Sequence, residues 1–245
     1  MPTNKQRLDL AVLATGLAES RQRAQAMIME GKILVNDRPV DKPGTLVSKK
    51  DHLFLKGNDI PYVSRGGLKM ESALKAFDIS LDGLFCMDVG ASTGGFTDCL
   101  LHHGAERVFA VDVGYGQLAW KLRQDSRVIV IERTNIRYMP LNTLPCPVDF
   151  ITIDVSFISL KIVVPAVMKF MKESASIIAL IKPQFEVGRG KVGKGGVVRS
   201  PDLHNEIIAE LTDFFIDKGF FYKPVIPSPI LGPKGNKEFF IHLKY

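Results

Sequence analysis

Four carboxylates and two lysines stand where chemistry is the simplest reason for them. Apolar runs end at Asp88, Asp112 and Asp154. If those runs are strands of an open α/β sheet, the three acids share the crevice outside the carboxyl ends of the strands, although each alone also suits a helix cap. Around the first, Asp88-Val89-Gly90-Ala91-Ser92-Thr93-Gly94-Gly95-Phe96 passes from a strand through a tight loop into a helix. Glycines admit a ligand close to the backbone and the first helical turn offers unpaired N–H groups, so the loop reads as a nucleotide-type cradle. Its spacing departs from Gly-x-Gly-x-x-Gly, and Asp112, 22 residues after Gly90, is placed to take both hydroxyls of a ribose. Lys182 precedes Pro183, which holds it extended at a strand tip, aimed into the same crevice close to Asp154. Glu238 opens a run that, as an antiparallel strand, starts at that end beside Lys182. Lys69 begins a helix, where the backbone dipole disfavours a cation; a surface lysine is the other reading.

The elements that must carry these residues follow in order. A helix over 70–77 turns Leu74 and Phe77 inward, a strand reaches Asp88, and a helix spans 96–103. A strand over 108–113, a helix over 117–122 and strands over 128–131, 148–154 and 175–181 come next. Two further strands, 220–226 and 238–243, make a hairpin that closes the sheet edge. Ahead of this lies a basic α-α-β unit, with a helix over 7–14, a second from Ser20 to Gly31, two short strands around Asn36-Asp37, and a strand over 52–55. Gly57-Asn58-Asp59-Ile60-Pro61 is a turn-rich joint. The expected domains are therefore 1–57 and 64–245, with 58–63 as linker.

Composition sets bounds. The chain has 245 residues, 46% of them apolar, and a formal net charge of +6, which suits two folded domains and an anionic partner. Cys86, Cys99 and Cys146 form no close pair, and two fall in or beside apolar runs, so reduced thiols and a cytoplasmic protein are expected. The five histidines have no metal-ligand spacing, and no metal is expected. No apolar run approaches bilayer length, so no membrane partner is expected.

Three resemblances add to this reading. The loop and Asp112 resemble motif I and the ribose-binding acid of S-adenosylmethionine-dependent methyltransferases. That resemblance implies S-adenosyl-L-methionine as cofactor, held by Asp88, Gly90, Ser92, Thr93, Gly94, Gly95, Phe96, Asp112 and Asp154, with Asn135 and Ile136 at the adenine; an ordinary loop at 132–136 remains the alternative. Arg7-Leu8-Asp9, Ser20-Arg21, Ala24, Gly31, Val35-Asn36 and Lys42-Pro43 resemble the ribosomal-protein-S-four type of RNA-binding module, which implies phosphate contacts at Arg7, Arg21, Arg23, Gln25, Lys32 and Arg38. The set Lys69, Asp154, Lys182 and Glu238 resembles the catalytic tetrad of FtsJ-type ribose 2′-O-methyltransferases, and the whole chain is similar to the TlyA/hemolysin-A family of ribosomal-RNA methyltransferases. The implied fold is a Rossmann-like α/β methyltransferase sheet with a small N-terminal α+β RNA-binding domain. The implied partner is ribosomal RNA or a ribosomal subunit, methylated on a ribose, most often a cytidine.

A ribose hydroxyl is a weak nucleophile until its proton is removed, and a lysine removes it only where desolvation or a second cation destabilises the ammonium. Lys182 is the expected proton acceptor, Lys69 the second cation, and Asp154 and Glu238 their orienting partners; structural pairing at a sheet end is the plainer alternative. Residues 188–194 fit Gly-x-x-x-x-Gly-Lys, but Gly195 replaces the magnesium-binding Ser/Thr, which argues against a phosphate-binding P-loop. A basic flap carrying Arg189, Lys191, Lys194 and Arg199 to RNA suits the stretch, as does a plain flexible loop, and Arg65 joins the RNA-binding set. Two other functions stay in view. A membrane-lysing hemolysin would need an export signal or a lytic element, and an RNA-binding assembly factor with an inactive methyltransferase domain would be expected to lack a tetrad residue.

Overall fold

A computed structural model describes residues 5–36, 38–49, 51–55, 61–188, 192–193 and 195–245. The chain divides into two units, Met1–Pro61 and Tyr62–Tyr245. The first runs β1 (Lys5–Arg7), α1 (Leu8–Ala14), α2 (Arg21–Met29), β2 (Ile33–Val35), β3 (Arg38–Pro39), β4 (Leu46–Ser48) and β5 (Leu53–Leu55). Ser20 starts α2 by accepting a hydrogen bond from Arg23 N at 3.1 Å, satisfying one of the donors a helix leaves open. Strands β3, β2 and β5 pair antiparallel, and β1 and β4 form a separate antiparallel pair that the expected elements did not include. Leu8, Val12, Ala24, Ile28 and Ile33 are fully buried between helices and strands.

The second unit is built on one twisted sheet. Its elements are α3 (Gly66–Phe77), β6 (Phe85–Val89), α4 (Gly95–His102), β7 (Arg107–Val111), α5 (Trp120–Arg123), β8 (Val128–Ile131), β9 (Val148–Ile153), α6 (Leu160–Val167), β10 (Met171–Ile181), α7 (Pro183–Glu186), α8 (Pro201–Asp217), β11 (Phe221–Pro227) and β12 (Phe239–Lys244). The strand order is β11-β12-β10-β9-β6-β7-β8. Strands β6 to β10 run parallel, and β12 lies antiparallel between β10 and β11. The order reverses at β6, which places the ligand crevice at the carboxyl ends of β6 and its neighbours.

Alternation along each strand separates two faces. Met87, Val89, Phe109, Ile151, Ile153, Ile177 and Ile241 pack with Val163, Val167, Leu211 and Phe215 of α6 and α8. On the other face Phe240 lies 6.3 Å from Phe96 of α4, and His242 lies 5.4 Å from Phe77 of α3. Helices α6 and α8 are additions to the expected elements; α6 is apolar nearly throughout and carries Pro165, which hides a helical period. The hairpin of β11 and β12 forms as expected, each strand beginning and ending one residue later. No helix among the described residues is long and apolar enough to cross a membrane.

Candidate active site

The site grows from the end of β6. Gly90 has φ +89°, and a Cβ there would sit 2.4 Å from the carbonyl oxygen of Asp154, so only glycine lets the β6 tip close against the β9 tip. Ser92 N and Gly114 N donate to the two oxygens of Asp112 at 2.8 and 2.6 Å, which fixes the carboxylate at the mouth of the cleft. That cleft has a volume of about 670 Å³ and is lined by Gly90, Ser92, Asp112, Asn135, Ile136 and Asp154 from the expected cofactor set, together with Val113, Gln117, Arg137, Ser156, Phe157 and Phe185. Asn135 turns its Oδ1 toward Arg137 N at 3.1 Å and Arg137 Nε at 3.3 Å, and Ile136 is buried.

Five of the expected cofactor residues lie elsewhere, for identifiable reasons. Asp88 is fully buried under the loop, where it accepts from Thr97 N (2.9 Å), Thr97 Oγ1 (2.7 Å) and Thr152 Oγ1 (2.9 Å). Burial pushes its carboxyl up to about 6, and those three donors oppose the rise. It pins the start of α4 to β6 and β9 and does not line the cleft. Gly94 and Gly95 serve helix contacts. A Cβ on Gly94 would meet Leu122 at 2.2 Å, and one on Gly95 would meet Ser64 Oγ at 2.3 Å and the Gly67 nitrogen at 2.9 Å, so α3 crosses α4 through glycine. Thr93 is exposed and spends its carbonyl on Ala119 N at 3.1 Å, while Phe96 belongs to the core.

The four residues of the expected tetrad form two ion pairs. Lys182 Nζ lies 2.5 Å from Asp154 Oδ1 and donates to Ser156 Oγ at 3.2 Å. Lys69 Nζ donates to Glu238 Oε2 at 2.6 Å. Lys69 is not a surface lysine: α3 starts earlier than expected, at Gly66, and its side chain is 9% exposed, with Glu238 wholly buried. Because Ile181 pairs with Phe239 in the ladder, Lys182 and Glu238 sit opposite each other one step beyond it. Gly232 makes room, since a Cβ there would meet Glu238 Oε1 at 1.9 Å. That oxygen is buried without a hydrogen-bond partner among the described residues, on the same carboxylate that holds Lys69.

Phe157 was not anticipated. It is 90% exposed at φ +64°, a conformation bulky side chains avoid, with its ring 4.8 Å from that of Phe185 at the edge of the cleft. Its only signal in sequence is its place just after the β9 strand end. Of the expected RNA-facing residues, Arg7, Arg21, Arg23, Lys32 and Arg38 are exposed on the first unit, and Lys32 pairs with Glu30 at 2.7 Å. Arg65 is half-buried at the start of α3, and Arg199 is exposed. Arg189, Lys191 and Lys194 lie outside the described residues.

Comparison with known proteins gives the family of each unit. Residues 62–245 match the FtsJ-like methyltransferase family and residues 6–53 the S4 domain. The 16S/23S rRNA (cytidine-2'-O)-methyltransferase TlyA of Mycobacterium tuberculosis is 45% identical, covering 97% of this chain and 89% of its own. Hemolysin A of Brachyspira hyodysenteriae is 42% identical over 96% of this chain and 98% of its own. A solved structure from Streptococcus thermophilus, provisionally named a hemolysin, superimposes with a TM-score of 0.77 at 44% identity, covering 99% of this chain and 89% of that one. The chain belongs to the FtsJ-like methyltransferase family, with an S4 domain preceding its methyltransferase domain.

Proposed function

We propose that the protein transfers the methyl group of S-adenosyl-L-methionine to the ribose 2′-hydroxyl of a cytidine in ribosomal RNA, acting in the cytoplasm where ribosomes are assembled. The observation that carries this reading is the pair of lysine–carboxylate contacts at the tips of β9, β10 and β12, beside a cleft whose mouth holds a fixed carboxylate. The residues present suit the cofactor. Asp112 is oriented by two backbone N–H groups to take ribose hydroxyls, Gly90 leaves the space a Cβ would fill, and Asn135 and Ile136 line the part of the cleft suited to an adenine. The cofactor, when bound, supplies an electrophilic methyl group on a sulfonium.

The remaining work falls to this chain. Lys182, as the free amine, stands where it can take the proton of the incoming hydroxyl and become an ammonium beside Asp154, and Asp154 and Ser156 fix the direction of its Nζ. Lys69, held by Glu238, is the second lysine of the proposed set. Exposed arginines of the first unit anchor RNA through its phosphates, with little reading of sequence. The curated relative's cytidine specificity is consistent with this assignment.

The test is methyl transfer from labelled cofactor to ribosomal RNA from cells that lack the gene, with the product mapped for 2′-O-methylation. Lys182→Ala is expected to keep cofactor binding and lose transfer by roughly 100-fold or more. Transfer at the wild-type rate in that variant would remove Lys182 from the mechanism, and a product methylated on a base would overturn the ribose assignment.

A further inference from the structure

Asp9 is an acid on a unit proposed to face phosphates, yet it is fully buried in the first turn of α1. Every hydrogen bond its carboxylate makes comes from a donor on another residue. Arg7 grips it as a fork, Nε on Oδ1 and Nη2 on Oδ2, each at 3.1 Å. Arg21 Nε and Gln25 Nε2 reach Oδ2 at 3.1 and 2.8 Å, and Leu10 N reaches Oδ1 at 3.0 Å. The two guanidiniums come from different elements, the end of β1 and the start of α2, and stay 44% and 50% exposed. Gly44 leaves space for the first, since a Cβ there would lie 3.2 Å from Arg7 Nη1. A guanidinium has five N–H donors, and Asp9 takes two from Arg7 and one from Arg21, leaving the others for an outside acceptor. Two cations on one anion also leave a net charge of about +1 at this spot.

We infer that Asp9 is a positioning residue for RNA: it locks Arg7 and Arg21 into a two-arginine clamp for adjacent backbone phosphates, and Gln25 tethers the carboxylate that does so. This rests on the reading that the protein binds ribosomal RNA. A flexible arginine loses rotamer freedom when it meets a phosphate; one already held by a bidentate fork loses less. Charge and positioning make opposite predictions for Asp9. Removing a negative charge strengthens binding to a polyanion if charge alone matters, and weakens it if Asp9 sets the geometry.

The experiment measures the affinity of the full chain for protein-free ribosomal RNA across a salt series, with thermal melting of each variant. Asp9→Asn is expected to bind roughly tenfold more weakly despite its gain of one positive charge, with a melting transition retained. Arg21→Ala is expected to cost several-fold in the wild-type background and almost nothing in the Asp9→Asn background, a non-additivity that general loss of structure would not produce. Gln25→Ala changes no charge and is expected to weaken binding at an unchanged salt slope, so it decides the matter should Asp9→Asn fail to fold. Binding by Asp9→Asn as tight as wild type, additive effects in the cycle, or unaltered affinity in Gln25→Ala would each overturn the clamp. If the wild-type chain did not bind ribosomal RNA, the ribosomal-RNA reading itself would fall, and the clamp with it.

Discussion

Phe157 shows how a single residue can be kept in an unfavourable place. A phenylalanine at φ +64° costs on the order of 1–2 kcal/mol, and its exposed ring recovers little of that from burial. A flat ring at the cleft edge is what an unpaired base stacks on, at about 1–3 kcal/mol per base. Phe157→Ala is therefore expected to lower methyl transfer about tenfold or more at saturating cofactor, and Phe157→Tyr to retain it, by initial rates on ribosomal RNA. Phe157→Gly is expected to melt no lower than wild type while losing transfer, because glycine accepts that backbone angle. The Lys69–Glu238 pair allows a complementary separation of stability from chemistry. Lys69→Met leaves a buried carboxylate uncompensated and is expected to cost about 3–5 kcal/mol in denaturant unfolding. The double variant Lys69→Met, Glu238→Gln is expected to regain most of that stability and none of the activity.

At the scale of elements, the crossing of α3 over α4 decides where Lys69 stands. Gly95→Ala would drive a Cβ to 2.9 Å from the Gly67 nitrogen and part the helices, with an expected loss of about 1–3 kcal/mol in thermal unfolding and a larger loss of transfer. This is also where sequence reading fell short. The strand tips bearing Asp112, Asp154 and Lys182 were legible because apolar runs, a following proline and acids at their ends are local signals. The roles of Gly94 and Gly95 were not, since a glycine that admits a neighbouring helix and one that admits a ligand look alike along the chain. The hydrogen bonds of Asp88 were hidden for a related reason: its partners Thr97 and Thr152 come from α4 and β9, and nothing local announces that they converge. Helix α8 starts where Ser200 caps Leu203 N ahead of Pro201, a signal left unread because the helix's buried face makes sense only once the sheet supplies the surface it covers.

For the whole molecule, two buried groups on the α3/α4 face of the sheet set opposing responses to acid. Burial lowers His242 from 6.5 to about 4, with Lys223 and Lys244 adding to the shift, so its contribution to stability is present above pH 6.5 and lost as pH falls toward 4. Burial raises Asp88 from 3.8 to about 6, so its contribution is present below pH 3.8 and lost as pH rises through 6. The two slopes oppose each other between pH 4 and 6. Thermal melts over that range are expected to show His242→Leu gaining on wild type as the medium becomes more acidic, and Asp88→Asn gaining as it becomes less so. Strand β12 ties these observations together. It follows every other strand along the chain yet wedges between β10 and β11, and only with it does Glu238 reach Lys69, 169 residues earlier. A copy whose last strand had not yet inserted would have β6 to β10, the cleft and the Lys182–Asp154 pair, but Lys69 would lack the carboxylate that holds it. Full activity would thus wait on the last strand to enter the sheet.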